Sequence, residues 1–189
     1  MQIIIRPQDD HLTRWGNQIA ALGDGQARAA IARAVNRTTR SAHGKVIRAT
    51  AKMMSLPIKR VQKSVYMKLA AHQGTGPIQG IIGATGAPLS LKYFGAKQFS
   101  WGVRAKVFGQ FERFPHAFIW AGTPNSGKAV GSGHVFKRIG SRSLPIERLF
   151  GPSIPAALIE GEAAYQFTST AESMLPARIT HELGRLLGQ

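Results

Sequence analysis

From Asp24 onward the apolar residues Ile31, Val35, Ala42, Val46, Ala49 and Met53 recur at intervals of four, seven, four, three and four, which places them on one stripe of a helix. The segment has no proline and one internal glycine, Gly44, so the spacing predicts a single long helix from Asp24 or Gly25 to about Met53. Upstream, a short strand is expected at Gln2–Arg6. A first helix follows it, capped by Asp9 or Asp10, with Leu12, Trp15, Ile19 and Leu22 on one face, and Gly23-Asp24-Gly25 ends it. Downstream, Ser55-Leu56-Pro57 marks a break and a new start, because serine can cap a helix and proline is tolerated in its first turn. A short helix from Pro57 to Lys63 is the result.

Beyond Lys63 the period shortens toward two. Strands are expected at Val65–Leu69 and Ile78–Gly83, with a weaker one at Leu89–Phe94. The clearest alternation is Phe99–Phe108, where Trp101, Val103, Ala105 and Val107 interleave with Ser100, Gly102, Arg104 and Lys106, one set for the core and one for solvent. Gly109–Pro115 reads as the turn out of that strand. Ala117–Ala121 and Val135–Ile139, joined by a loop from Gly122 to Gly133, read as an antiparallel hairpin. Phe136 is expected to anchor the last strand in the core. Pro145 lacks a ladder donor, so Leu144, Pro145 and Ile146 are expected to form a structural corner that redirects the chain. After Pro155 a helix is predicted from Ala156 to about Glu172, kinked or restarted at Pro176 and carrying Ile179, Leu183, Leu186 and Leu187 to the end.

These elements predict a single α+β domain. Residues 8–64 form its N-terminal helical part, residues 65–140 an antiparallel sheet of about five strands, and residues 141–189 the corner and a long C-terminal helix packed on that sheet. A length of 189 residues with 43% hydrophobic side chains suffices for one real core. The opening MQIIIRPQDD is far short of the apolar core of a signal peptide. No apolar run reaches the roughly 18 residues of a membrane span, so no membrane partner is expected.

Charge changes the picture more than size does. Lys and Arg number 25 against 9 Asp and Glu, a formal net charge of +16, which attracts nucleic acid, acidic proteins or anionic lipid. Residues 1–70 hold 13 basic and 3 acidic side chains, residues 71–150 hold 10 and 2, and residues 151–189 hold 2 and 4. On the long helix Arg33, Arg37, Arg40, Arg48 and Lys52 occupy the face opposite the apolar stripe, and Lys59 and Arg60 follow in the next segment. A row of charges is ordinarily just a solvated face. Here residues 25–70 contain no Asp or Glu to relieve the repulsion, which favours an anionic surface opposite these side chains.

Catalytic and metal chemistry find little to stand on. There is no cysteine, and His11, His43, His72, His116, His134 and His181 share no metal-ligand spacing. Glu112 and Glu147 are the only acids between residues 25 and 159, a poor supply for paired-acid catalysis. The stretch Gly122–Ala129, GTPNSGKA, satisfies Gly-x-x-x-x-Gly-Lys but ends in alanine where a nucleotide loop needs Ser or Thr for magnesium. It is followed by Val130-Gly131-Ser132-Gly133 rather than a helix former. Neither an enzyme, a cofactor nor a metal site is expected.

Three stretches carry a family resemblance. Ala32–Thr38 (ARAVNRT) resembles an early helix with an Asn-Arg pair, Pro115–Trp120 (PHAFIW) a Pro-x-Ala-Phe-Ile strand, and Val135–Pro152 (VFKRIGSRSLPIERLFGP) a Val-Phe-x-Arg run followed by a Leu-Pro-Ile corner. In this order they resemble the prophage minor tail protein Z family of long-tailed bacteriophages. The resemblance implies a virion structural protein without catalytic residues, acting in tail completion at the head-proximal end of the tail and assembled in the host cytoplasm. It also implies a homo-oligomeric ring, a hexamer matching the tail's sixfold symmetry, that contacts the tail tube or tail terminator protein and the head connector proteins, with nonspecific contact to the phage genome. Arg33, Arg37, Arg40, Arg48, Lys52, Lys59 and Arg60 would then face the DNA channel or an acidic partner, and Phe136, Arg138, Leu144, Pro145 and Ile146 would form the corner. A free, nonspecific nucleic-acid-binding protein is the alternative that charge alone supports.

Overall fold

The computed structural model describes residues 1–6, 24–73, 76–120, 131–159 and 161–186. The helix expected around Leu12 to Leu22 and the GTPNSGKA stretch lie outside the described residues. Helix α1 (Asp24–Met54) is the 31-residue element that the spacing predicts, about 46 Å long at 1.5 Å per residue. Its expected stripe is buried, from Ile31 through Val35, Ala42 and Val46 to Ala49, with Met53 partly so. Burial reaches further round the helix than the stripe alone implies, because Ala27, Ala30, Ala34 and Ile47 are covered as well. Thr38, Thr39 and Thr50 are also buried. Each satisfies its hydroxyl by donating to the carbonyl one turn back, at 2.7 to 3.0 Å. Only one narrow strip of α1 is left for solvent, and the arginines hold it.

Helix α4 (Gly161–Leu186) lies antiparallel along α1: Arg33 near one end meets Glu182, and the Met53 sulfur at the other lies against Gly161. Phe167, Leu175, Ile179 and Leu183 supply its buried side. Pro176 sits inside this helix without ending it, so the helix does not restart there. The real break comes earlier. The helix expected from Ala156 to Glu172 is divided into α3 (Ile154–Leu158), capped by Ser153 Oγ accepting from the Ala156 amide, and α4, which begins at Gly161 with φ +58°. Between α1 and the short α2 (Ile58–Gln62), Ser55 takes a left-handed φ of 56° and its amide donates to the Lys52 carbonyl, closing α1; the N-cap of α2 is Pro57, not the serine.

The strands form three separate three-stranded antiparallel sheets rather than one sheet of about five. In the first, β1 (Gln2–Ile5) and β2 (Val65–Lys68) flank β3 (Gly80–Ala84). In the second, β5 (Gly102–Val107) is central between β4 (Lys97–Phe99) and β6 (Gln110–Pro115). In the third, β8 (His134–Arg138) is central between β7 (Ala117–Trp120) and β9 (Ile146–Arg148). One core joins all three to the helices, with Ile5, Val46, Val65, Ile82, Phe94, Val103, Val135, Ile154 and Leu183 in a single cluster.

Three segments within or beside these sheets differ from expectation. The strand expected at Phe99–Phe108 is two strands joined by the two-residue turn Ser100-Trp101. Pairing of Phe99 with Gly102 keeps the alternation in phase, so the turn is invisible to periodicity. Val103, Ala105 and Val107 are buried as expected, whereas Trp101 is 38% exposed. The segment read as a turn, Gly109–Pro115, is mostly β6; Phe108 and Gly109, both at positive φ, make the hairpin turn. Leu89–Phe94 is not a strand: Ser90 makes an isolated bridge to Phe150, and Leu91–Phe94 form a 3-10 turn that buries Leu91 and Phe94.

The corner also lies elsewhere. Ile139–Pro145 is the loop of a hairpin, and Ile146 pairs with Arg138, so the chain returns along β8 instead of leaving it. Leu144 is 67% exposed and Pro145 is exposed, so neither packs the turn. Beyond β9 the chain runs on beside Leu89–Leu91 until α3 begins at Ile154: the Gly151 amide donates to the Leu89 carbonyl at 2.7 Å, and its bare Cα lies against the Phe94 ring. Phe136 is not the core anchor either. The period of two turns Val135 inward to full burial and leaves Phe136 half-buried on the outer face.

Candidate functional site

The exposed strip of α1 carries Arg33, Arg37, Arg40, Arg48 and Lys52, each three to eight residues from the next. They do not all remain free. Arg33 Nε donates to Glu182 Oε2 at 2.7 Å, and Arg185 lies 3.6 Å from the same oxygen. That hydrogen bond, aided by the charges of Arg33 and Arg185, holds the Glu182 carboxyl below the usual carboxylate range. Among the described residues no carboxylate lies within ion-pair distance of Arg37, Arg40, Arg48 or Lys52. The Arg48 guanidinium folds back over Gly44, where a side chain would otherwise stand.

Lys45, Arg48 and Lys52 also form one wall of a cleft of about 630 Å³, closed by the Phe108-Gly109 turn and by Glu162 and Gln166 of α4. Lys59 and Arg60 lie in a smaller notch of about 300 Å³ with Pro57, Lys63 and Tyr93. There the Arg60 guanidinium stacks 3.7 Å from the Tyr93 ring centroid. As hydrogen-bond donor and as charge it pulls the phenol below its ordinary value, with Lys92 and Arg148 adding to the effect. The expected basic residues thus divide into a ridge, a cleft wall and a notch, with Arg33 tied down inside the chain.

A second basic surface lies on the two outer sheets. On the outer face of β4-β5-β6, Arg104 lies over Phe99 (4.9 Å) and Phe111 (4.6 Å), Phe99 stacks on Trp101 with centroids 5.3 Å apart and planes within 7°, and Arg113 lies 5.3 Å from Trp101. Register explains the column, because Arg104 stands directly opposite Arg113 while Phe111 stands opposite Lys106. The adjoining sheet repeats the theme: Phe136 contacts Phe118 and Trp120, and Arg138 lies 4.8 Å from Phe118. Phe136 and Arg138, expected at a corner, therefore belong to this face; Leu144 and Pro145 do not join it.

Gln98 joins the two sheets. Its Oε1 accepts from the Ile119 amide at 2.7 Å, and its Nε2 reaches the carbonyls of Gly102 and Ala117 at 3.1 and 3.4 Å. Between the sheets opens a cleft of about 450 Å³ with Trp101 on one side and Phe118 and Arg138 on the other. Single-sequence reading missed Phe99, Trp101, Phe111 and Arg113 as a surface because they come from β4, the turn after it and β6, and β6 reads as a turn in the sequence. The interleaving of rings and cations in FSWGVRAK and QFERF was the available signal.

Ser90 Oγ lies 2.6 Å from His134 Nδ1, a pair 44 residues apart that sequence could not suggest. Burial, with the charges of Arg148 and Lys92, lowers the His134 pKa and keeps the ring neutral at pH 7. Ser90 is only 2% exposed, so the pair fastens the 3-10 turn to β8 and offers no nucleophile to a substrate. Among the described residues no three His, Cys, Asp or Glu side chains come together as a metal site, and no helix is long and apolar enough to cross a membrane. No family model, curated protein or solved structure matches this chain.

Proposed function

We propose that this chain is a structural subunit of a bacteriophage virion, a minor tail or tail completion protein at the head-proximal end of the tail, working as part of a ring at the head-tail junction. The observation that carries the reading is the ridge of Arg37, Arg40, Arg48 and Lys52, without carboxylate partners among the described residues, along the one exposed strip of an otherwise buried helix. A fixed row of cations suits a phosphate backbone passing through a ring, or an acidic neighbour in the tail tube, tail terminator or head connector. The resemblance supplies the class. Two of its stretches, 115–120 and 135–152, meet in the same sheet, where Phe118 pairs with Phe136 and Phe136 with Arg148.

The test is charge reversal of Arg37 and Arg40 to Glu in the phage that encodes the protein. Both side chains are exposed, so the variant should fold, which circular dichroism of the purified chain checks. The expected outcome is unjoined heads and tails and a collapse of titre. Normal assembly and infectivity would sink the reading. Salt-dependent DNA binding by a chain that forms no ring would favour the free nucleic-acid-binding alternative instead.

A further inference from the structure

The cation–aromatic face of the two outer sheets belongs to neither the α1 ridge nor its cleft, and its chemistry is more specific than charge. The structure assigns to it a binding site for single-stranded nucleic acid: the exposed rings of Trp101 and Phe111 take unstacked bases, and Arg104, Arg113 and, at the Gln98 cleft, Arg138 hold the phosphates.

Charge complementarity selects a polyanion. The only acids in these sheets are Glu112 and Glu147, and by register both face away: Glu112 pairs with the buried Ala105, and Glu147 with Lys137 on the inner side of β8. Arg104 and Arg113 have no carboxylate within ion-pair distance among the described residues. Each guanidinium carbon instead lies 4.6 to 5.3 Å from an aromatic ring centroid, which sets these charges beside the rings with N–H donors to offer phosphate oxygens.

The rings select a single strand over a duplex. A phosphate-only contact needs no aromatic side chains, yet Phe111 is 63% and Trp101 38% exposed on this face. Bases in a duplex have both faces covered by their neighbours, so only unstacked bases can use such rings. Base–aromatic stacking and stacking on arginine planes are the recurrent means by which sheets hold single strands without regard to sequence. Because Gln98 binds the two sheets together, a strand crossing from Trp101 to Phe118 meets one continuous surface rather than two.

The experiment is fluorescence anisotropy of the full chain with labelled 20-mers of oligo(dT) and oligo(U), a duplex of equal length, and polyglutamate, at 50 to 200 mM salt. We expect one or both single strands to bind more tightly than duplex and polyglutamate, with affinity falling as salt rises. Trp101→Ala and Phe111→Ala should each weaken single-strand binding about tenfold, while both variants keep a cooperative melt that shows them folded at the assay temperature. Arg37→Glu with Arg40→Glu should leave most of it intact, which separates this site from the ridge. Equal or tighter binding of duplex, tighter binding of polyglutamate, or full single-strand affinity in both ring variants would overturn the assignment. None of these outcomes bears on whether the chain assembles into a ring.

Discussion

Asn36 sits in the middle of the basic helix, and its side-chain amide does the work of a missing strand partner. Its Oδ1 accepts from the Ala70 amide at 2.6 Å and its Nδ2 donates to the Ala70 carbonyl at 3.1 Å, tying the chain after β2 to α1 across 34 residues. Replacing it by alanine removes both bonds. At about 1 kcal/mol net for each, the loss is about 2 kcal/mol. Alanine is the better helix former by roughly 0.5 kcal/mol, so about 1.5 kcal/mol of destabilisation should remain. For a domain of this size that lowers the melting temperature by about 3–6 °C. Hydrogen exchange gives the sharper assay: the Ala70 amide should be protected in the parent and exchange rapidly in Asn36→Ala, while Tyr66, whose amide faces β3, keeps its protection. A variant melting within 1 °C of the parent, or an Ala70 amide already unprotected in the parent, would refute the argument.

Other outcomes follow from the same contacts. In Gly80→Ala the new methyl would overlap the fully buried Thr39 side chain, whose hydroxyl is committed to the Val35 carbonyl. A loss of about 1–3 kcal/mol is expected in chemical denaturation, and Thr39→Ala in the same chain should recover much of it. Glu182→Gln should lower the melting temperature at pH 7, because Arg33 holds the folded-state carboxyl below its ordinary pKa. A depressed carboxyl stabilises the fold above its unfolded pKa, about 4.3, and loses that contribution as pH falls through the folded value, so the gap between variant and parent should close in melts taken below about pH 4.

The long helix was legible because its signal is local: a stripe every three or four residues with no breaker inside it. The separation of the basic body from the acidic tail was legible too, but not which cations remain free. Arg33 finds its carboxylate 149 positions away on α4, a distance no spacing argument covers. The sheets were half legible. A two-residue turn preserves alternation, so β4 and β5 read as one strand, and a rule that places aromatics inside sent Phe136 to the core when Val135 takes that role. The α+β class survives these errors because it rests on periods. The division into three sheets depends on register and on contacts such as that of Gln98, which a linear reading cannot rank.

Helix α1 buries many small residues, among them Ala27, Ala30, Ala34, Ala42 and Ala49, and so smooth a surface has little to stop a neighbouring helix sliding a turn past it. Two contacts act as stops at opposite ends. Arg33 grips Glu182 at one, and the Met53 sulfur fits against the bare Cα of Gly161 at the other. A slip of one turn, about 5.4 Å, would break the first and drive Met53 into a neighbouring side chain. The alignment of the helical hairpin is therefore keyed at its ends, so a single arginine sets which part of α4 stands beside the basic side chains of α1.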